Sequence, residues 1–223
     1  MIKLAIYDMD RTITRHGTFT PFLMYAALRL APWRLVFTPL VPLVMLLYAL
    51  KIINRATLKE WNQTLLLGPH MHPTELKPVT DGFARRTVVT NVYPHAIERI
   101  AADKADHWRT VLATASYRLY VEAIADEVGM DDVIATNSII GLDSPILARI
   151  DGQNCYGPAK LRMIEAWLAA QGIDRSQALI RFYSDHGSAA PVLEWADEPY
   201  AVNPHKKLRR LARRRGWTII DWR

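Results

Sequence analysis

The chain has a single cysteine, Cys155, among 223 residues. No intramolecular disulfide is possible, which excludes the disulfide-stapled secreted domains and suits a reducing compartment. The first ten residues, MIKLAIYDMD, hold no long apolar run and no small-residue cleavage site, so no signal peptide is expected. Internal repeats and low-complexity linkers are missing too, which excludes solenoids and tethered arrays. Charge is absent from Leu35 to Leu50, sixteen residues bounded by Arg34 and Lys51. A spanning helix needs about 20 apolar residues, and this run is interrupted by Pro39 and Pro42. It reads as a kinked interfacial or re-entrant segment, edged by Trp33, Arg34, Tyr48 and Lys51, with Pro21–Ala31 as a second apolar stretch. A buried helix or a dimer interface is the alternative.

What is present is a folded chain: 50% of residues are hydrophobic and 22% charged. Its length fits one domain with an insertion better than two full domains. The net charge is +6, and seven basic residues fall between Lys206 and Arg215. Such a run suits an anionic membrane surface, or is a solvated helix face with Leu208, Leu211 and Ala212 as its buried stripe. No nucleic-acid partner is expected.

Lys3–Tyr7 is a short apolar run that stops at Asp8, the pattern of a buried parallel strand followed by a loop. Thr110–Thr114, Val133–Thr136 and Leu179–Tyr183 repeat it, and Tyr200–Val202 is a last candidate. Helical patterns lie between them at His95–Trp108, Leu119–Val128 and Ala159–Gln171, the last closed by Gly172. Alternating strand and helix predicts an α/β fold, a Rossmann-like parallel sheet with helices on both faces and ligands at the strands' carboxyl ends. Residues 18–86 break the rhythm. They are read as a helical, apolar insertion covering the site, with residues 1–17 and 87–223 as the core.

The carboxyl ends carry the chemistry. Asp8-Met9-Asp10-Arg11-Thr12 puts two carboxylates in one small loop. One can attack phosphorus and form an aspartyl-phosphate; the other can protonate the leaving oxygen and then activate water. Thr114 can donate to a phosphoryl oxygen, and Thr12, Ala115 and Ser116, with Arg11, are the expected substrate contacts. Lys160 can neutralise the nucleophile and the transferring group. Asp185 can complete an oxygen-only magnesium site with Asp8 and the Asp10 carbonyl. Each residue alone has an ordinary structural explanation; their shared order and strand-end placement does not.

The set Asp8/Asp10/Thr12, Thr114, Lys160 and Asp185 resembles the four motifs of the haloacid dehalogenase superfamily, and the insertion resembles its C1 cap. The stretches Tyr183–His186, Pro191–Ala196 and Ala201–His205 are similar to the subfamily that holds phosphoserine phosphatase and bacterial phosphatidylglycerophosphatase C. The resemblance implies a magnesium-dependent phosphomonoesterase with that family's fold. Two positions depart from the pattern. Arg11 stands where a small residue is usual, and reaches either a substrate phosphate or solvent. Ala189 stands where a second motif aspartate supports the metal's waters and the lysine, which raises the alternative of an impaired, phospho-ligand-binding homologue. His186 reads as a turn histidine rather than a replacement. Thr14–Thr20 contains no acid to hold a substrate amino group. With the apolar insertion, this favours a lipid phosphate such as phosphatidylglycerophosphate, met at the cytoplasmic face of a membrane. A soluble phosphatase for a small metabolite is the runner-up.

Overall fold

The computed structural model describes residues 1–142 and 144–223. Alternation decides how its first strand sits. In β1 (Ile2–Tyr7), Leu4 and Ile6 point into one hydrophobic cluster, and Ala5 and Tyr7 into another. All four are fully buried, as befits a strand covered on both faces. The other strands are β2 (His70–Met71), β3 (Arg109–Tyr117), β4 (Asp132–Ile140), β5 (Ile146–Asp151), β6 (Ala178–Ser184), β7 (Glu198–Val202) and β8 (Thr218–Ile220). They form one sheet in the order β2-β5-β4-β3-β1-β6-β7-β8. From β4 to β8 every pairing is parallel, while β5 and β2 add antiparallel strands at one edge.

The helices are α1 (Phe19–Leu30), α2 (Leu40–Ala49), α3 (Arg55–Leu67), α4 (Pro73–Asn91), α5 (Pro94–Ala105), α6 (Arg118–Val128), α7 (Pro158–Ala170), α8 (Ala190–Trp195) and α9 (Lys206–Arg215). Ile164 and Leu168 of α7, Val192 and Leu193 of α8, and Leu208 and Ala212 of α9 fill one cluster. Ala96 and Ile100 of α5 and Tyr120, Val121 and Ile124 of α6 fill the other, together with Phe22 and Leu23 of α1. This is the doubly covered sheet the sequence predicts. Gly172 follows α7 at φ +66°, where only glycine sits without strain.

The region 18–86 differs in detail from expectation. It contains a short strand, β2, whose two residues pair with β5. Its last helix continues past residue 86 to Asn91, because Val92 is extended and ends it. The chain leaves and returns through a two-stranded crossing: Thr14 bridges Val92, Arg15 donates to Asn91 O at 2.7 Å, and Tyr93 donates to Ile13 O at 2.9 Å. The uncharged run is bent, as its prolines suggest. A 3₁₀ helix, Pro32–Phe37, precedes α2, which starts after Pro39. Among the described residues no helix is long and apolar enough to cross a membrane.

Candidate active site

Three strand ends meet at one cavity of about 520 Å³. Its walls include Asp8 and Asp10 after β1, Thr114 and Ala115 in β3, Lys160 in α7 and Asp185 after β6. The inserted region supplies Phe19, Thr20, Pro21 and Arg55. The cause is register. Tyr7 pairs with Leu112 of β3 and with Tyr183 of β6, so the residues just beyond come out side by side.

Asp8 is held from three sides. Its backbone N–H donates to Tyr183 O at 2.9 Å, continuing the ladder. Its Oδ1 accepts from Met9 N–H at 2.9 Å and pairs with Lys160 Nζ at 2.8 Å. Its Oδ2 takes one longer bond, from Ser184 Oγ at 3.2 Å. Lys160 is buried and also donates to Ala113 O at 2.9 Å. Losing either partner of such a buried pair costs about 3–5 kcal/mol, because the survivor keeps an uncompensated charge.

Asp10 is engaged differently. Its Oδ1 accepts both Thr18 N–H and Thr18 Oγ–H at 2.8 Å, and its Oδ2 accepts Ser116 Oγ–H at 2.8 Å. Burial raises its affinity for a proton, while these three donors act in the opposite direction. A carboxyl poised this way suits proton transfer.

Asp185 is also buried, and its affinity for a proton is pushed up to about 7, first by burial and then by Asp8. Thr12 pins it: Asp185 N–H donates to Thr12 Oγ1 at 3.0 Å, and Thr12 returns a bond to Oδ1 at 3.3 Å. His205 Nε2 lies 3.5 Å from Oδ2. With both carboxyls ionised, Asp8 and Asp185 hold more negative charge than Lys160 balances, which is why Asp185 keeps its proton in the absence of another cation.

That imbalance tests the expected metal. Among the described residues no three His, Cys, Asp or Glu side chains converge to hold an ion unaided. Two carboxylates, a backbone carbonyl and no nitrogen or sulfur donor are nonetheless a hard, oxygen-only set. Magnesium binds in this manner, through one or two carboxylates with waters and substrate phosphate completing its shell. Asp8, Asp185 and the Asp10 carbonyl fit it.

Two expected substrate contacts fall elsewhere. Thr12 and Ser116 are buried and do not line the cavity. Their hydroxyls are committed to Asp185 and Asp10, so they support the acids instead of reaching a ligand. Thr114 and Ala115 do line it, and Thr114 Oγ1 accepts Ser116 N–H at 3.1 Å, which leaves its proton free to face the cavity. Arg11 sits at the cavity with φ +64°, its exposed side chain at the rim. His186 is a turn residue, as expected: its Nδ1 accepts Ser188 N–H at 3.1 Å. Ala189 faces the cavity but packs in the hydrophobic cluster under β6. Sequence reading missed Thr18, Ser184 and Arg55. Arg55, set over the Tyr156 ring at 4.2 Å, was findable as the first cation after the uncharged run beyond Lys51.

The chain is 34% identical over 131 residues to the inhibition of morphological differentiation protein of Streptomyces azureus, a match covering 59% of this chain and 46% of that one. It is 25% identical over 115 residues to a histidinol-phosphatase of Neisseria meningitidis, covering 51% and 52%. The chain therefore spans about half the length of these relatives. A crystal structure of a Bordetella pertussis protein of unknown function superposes over the whole of both chains, with a TM-score of 0.86 at 24% identity. A model of haloacid dehalogenase-like hydrolases matches residues 5–194, and the chain belongs to that family.

Proposed function

We propose that this chain is a phosphomonoesterase that works through an aspartyl-phosphate on Asp8. The observation that carries the reading is the pairing of Asp8 with buried Lys160 at 2.8 Å, while Asp10, held by Thr18 and Ser116, faces the same cavity. Asp8 Oδ2, with one long hydrogen bond, is the oxygen freer to attack phosphorus. As the bond to the leaving oxygen breaks, Asp10 gives that oxygen its proton. Asp10 then takes a proton from water, whose oxygen attacks phosphorus, and inorganic phosphate leaves with Asp8 regenerated. Lys160 and Thr114 stabilise charge on the transferring group. Magnesium, bound by Asp8, Asp185 and the Asp10 carbonyl, would supply Lewis-acid stabilisation of the phosphoryl oxygens. Residues 18–86 serve as a cap on a core of residues 1–17 and 87–223.

The finer substrate reading is a lipid phosphate such as phosphatidylglycerophosphate, met at an anionic membrane surface on the cytoplasmic side. Three observations favour it. Leu43, Leu46 and Leu50 of the α2 segment are 51%, 52% and 60% exposed, a row on one helix face. No acidic residue occurs from Arg11 through Lys59. Arg11 and Arg55 give the cavity two cations beyond Lys160, enough for a second anionic group on the substrate. The two membrane signals read from sequence lie toward opposite edges of the sheet, however. Helix α2 packs on α3, which lies against β5, whereas α9 packs on β7 and β8 at the other edge of the sheet. The runner-up, a small-metabolite phosphatase, is favoured by the Neisseria relative.

The test is Asp8→Asn. Phosphate release from a panel of phospholipid and soluble monoesters should fall by at least about 10³-fold with the fold unchanged. Substantial residual turnover would remove Asp8 as nucleophile, and the panel's preferred ester decides between lipid and metabolite.

A further inference from the structure

Helix α3 buries residues 59, 62, 63, 66 and 67, the spacing of one helix face. Where a core face is ordinarily apolar, this one reads Lys59, Asn62, Gln63, and only then Leu66. Lys59 is 5% exposed, and among the described residues it makes no ion pair. Its nitrogen donates to Ala115 O at 2.7 Å and to Asn154 Oδ1 at 3.1 Å, and lies 4.0 Å from the centre of the Tyr117 ring. Thr136 Oγ1 stands 2.8 Å and 3.0 Å from the same two oxygens.

The two acceptors belong to two of the core segments that border the cavity. Ala115 lines it and follows Thr114. Asn154 opens the loop that brings in Tyr156, Gly157 and then Lys160. One side chain from the inserted helices thus grips both.

We propose that Lys59 is a positioning residue: it fastens α3 over the cavity and, through Ala115 and Asn154, holds Thr114 and Lys160 in the arrangement that turnover needs. Its kinetic part rests on the phosphomonoesterase reading; its closure part rests on geometry alone.

The grip does not depend on a full charge at the nitrogen. Burial among neutral oxygens disfavours the charged form and pushes Lys59 down to about 7. Arg55 on the same helix acts in the same direction; Asp10, Cys155 and Glu60 oppose it. From β3, Tyr117 adds a ring face. A neutral amine keeps two N–H groups, one for each acceptor. The grip therefore survives loss of the proton but not loss of the nitrogen.

The experiment is a double-mutant cycle on the full chain with Lys59→Met and Asn154→Leu, and Asn154→Asp as the conservative arm. Hydrogen exchange of the α3 amides reads closure without turnover. Hydrolysis of p-nitrophenyl phosphate with magnesium reads kcat and KM. Each single change should speed α3 exchange and lower kcat/KM at least about tenfold, and the double should be no worse than the worse single. Asn154→Asp, which keeps an acceptor, should retain the wild-type exchange pattern. Wild-type exchange in the singles, or effects that multiply in the double, would overturn the proposal. Should Lys59→Met not fold, the Asn154 pair decides: loosening by Leu and not by Asp supports the grip, and equal effects refute it. A wild-type chain inactive on p-nitrophenyl phosphate would count against the phosphatase reading and leave the exchange result standing.

Discussion

Lys59 also makes a prediction about stability, and its sign differs from that of an ordinary ion pair. The unfolded chain holds this amine near 10.5, and the folded chain near 7. Below pH 7 both states bind the proton, and the cost of burying the ion is fully present. Between pH 7 and 10.5 the unfolded state binds more protons than the folded one, so stability rises with pH. The full displacement corresponds to on the order of 5 kcal/mol, and the part between pH 7 and 9 to roughly 2–3 kcal/mol. Other shifted groups contribute less in that window. His186, held below its usual range by burial and then His205, acts in the same direction as Lys59 and mainly below the window. Asp185, raised to about 7, works in the opposite direction, and its loss of stability is mostly complete there. The Cys155 thiol, pushed up to about 11 by burial, opposes the gain from about pH 8, where the unfolded thiol begins to ionise, by less than about 1 kcal/mol at pH 9. Urea unfolding without metal, at pH 7, 8 and 9, measures the effect. Wild type should gain stability across the series, and Lys59→Met should stay flat by comparison. Parallel pH curves for the two chains would refute the reasoning, because the buried amine would then not be the titrating group.

Three further outcomes are expected. Exhaustive chelation should stop turnover and magnesium should restore it, since Asp8 and Asp185 leave a negative charge that Lys160 alone does not balance; unchanged activity in chelator would discard the metal site. Ala189→Asp should tighten magnesium binding about 10- to 100-fold, the span typical of a group supporting a metal shell. The midpoint of a magnesium titration of activity reads this, and an unmoved midpoint in a folded variant would mean that the chain has adapted to alanine. Leu43→Ser, Leu46→Ser and Leu50→Ser together should abolish flotation with anionic liposomes at low and at high salt, while reversing Arg213, Arg214 and Arg215 should matter little if α2 alone makes the contact. Loss on charge reversal, with the leucine triple variant still floating, would transfer the membrane role to α9.

The sheet was legible in the sequence because a strand buried on both faces leaves a run that nothing else leaves. Lys3–Tyr7, Thr110–Thr114 and Leu179–Tyr183 each stop at a polar residue, and register carries those stops to one place. Strands β5 and β8 were not foreseen. Ile146–Asp151 buries only Ala148 and includes charged Arg149, and Thr218–Ile220 is three residues long. Both exist through their partners more than through their own composition.

The same distinction separates the parts of the site. The acids and the lysine announce themselves because their chemistry is rare at strand ends. Thr18 and Ser184 do not, and Ser116 reads as a substrate contact, because a hydroxyl serves as a turn, a cap or a support according to what stands opposite it. Only the fold sets Thr18 against Asp10, eight residues away in sequence, and Ser116 against the same carboxylate from 106 residues away. Lys59 belongs to neither group. Its stripe with Asn62 and Gln63 is visible as a polar face at core spacing, a local conflict with the helix's burial. Such a conflict persists where the buried polar group holds something together. Here Ala115 and Asn154, from segments 39 residues apart, meet at one nitrogen.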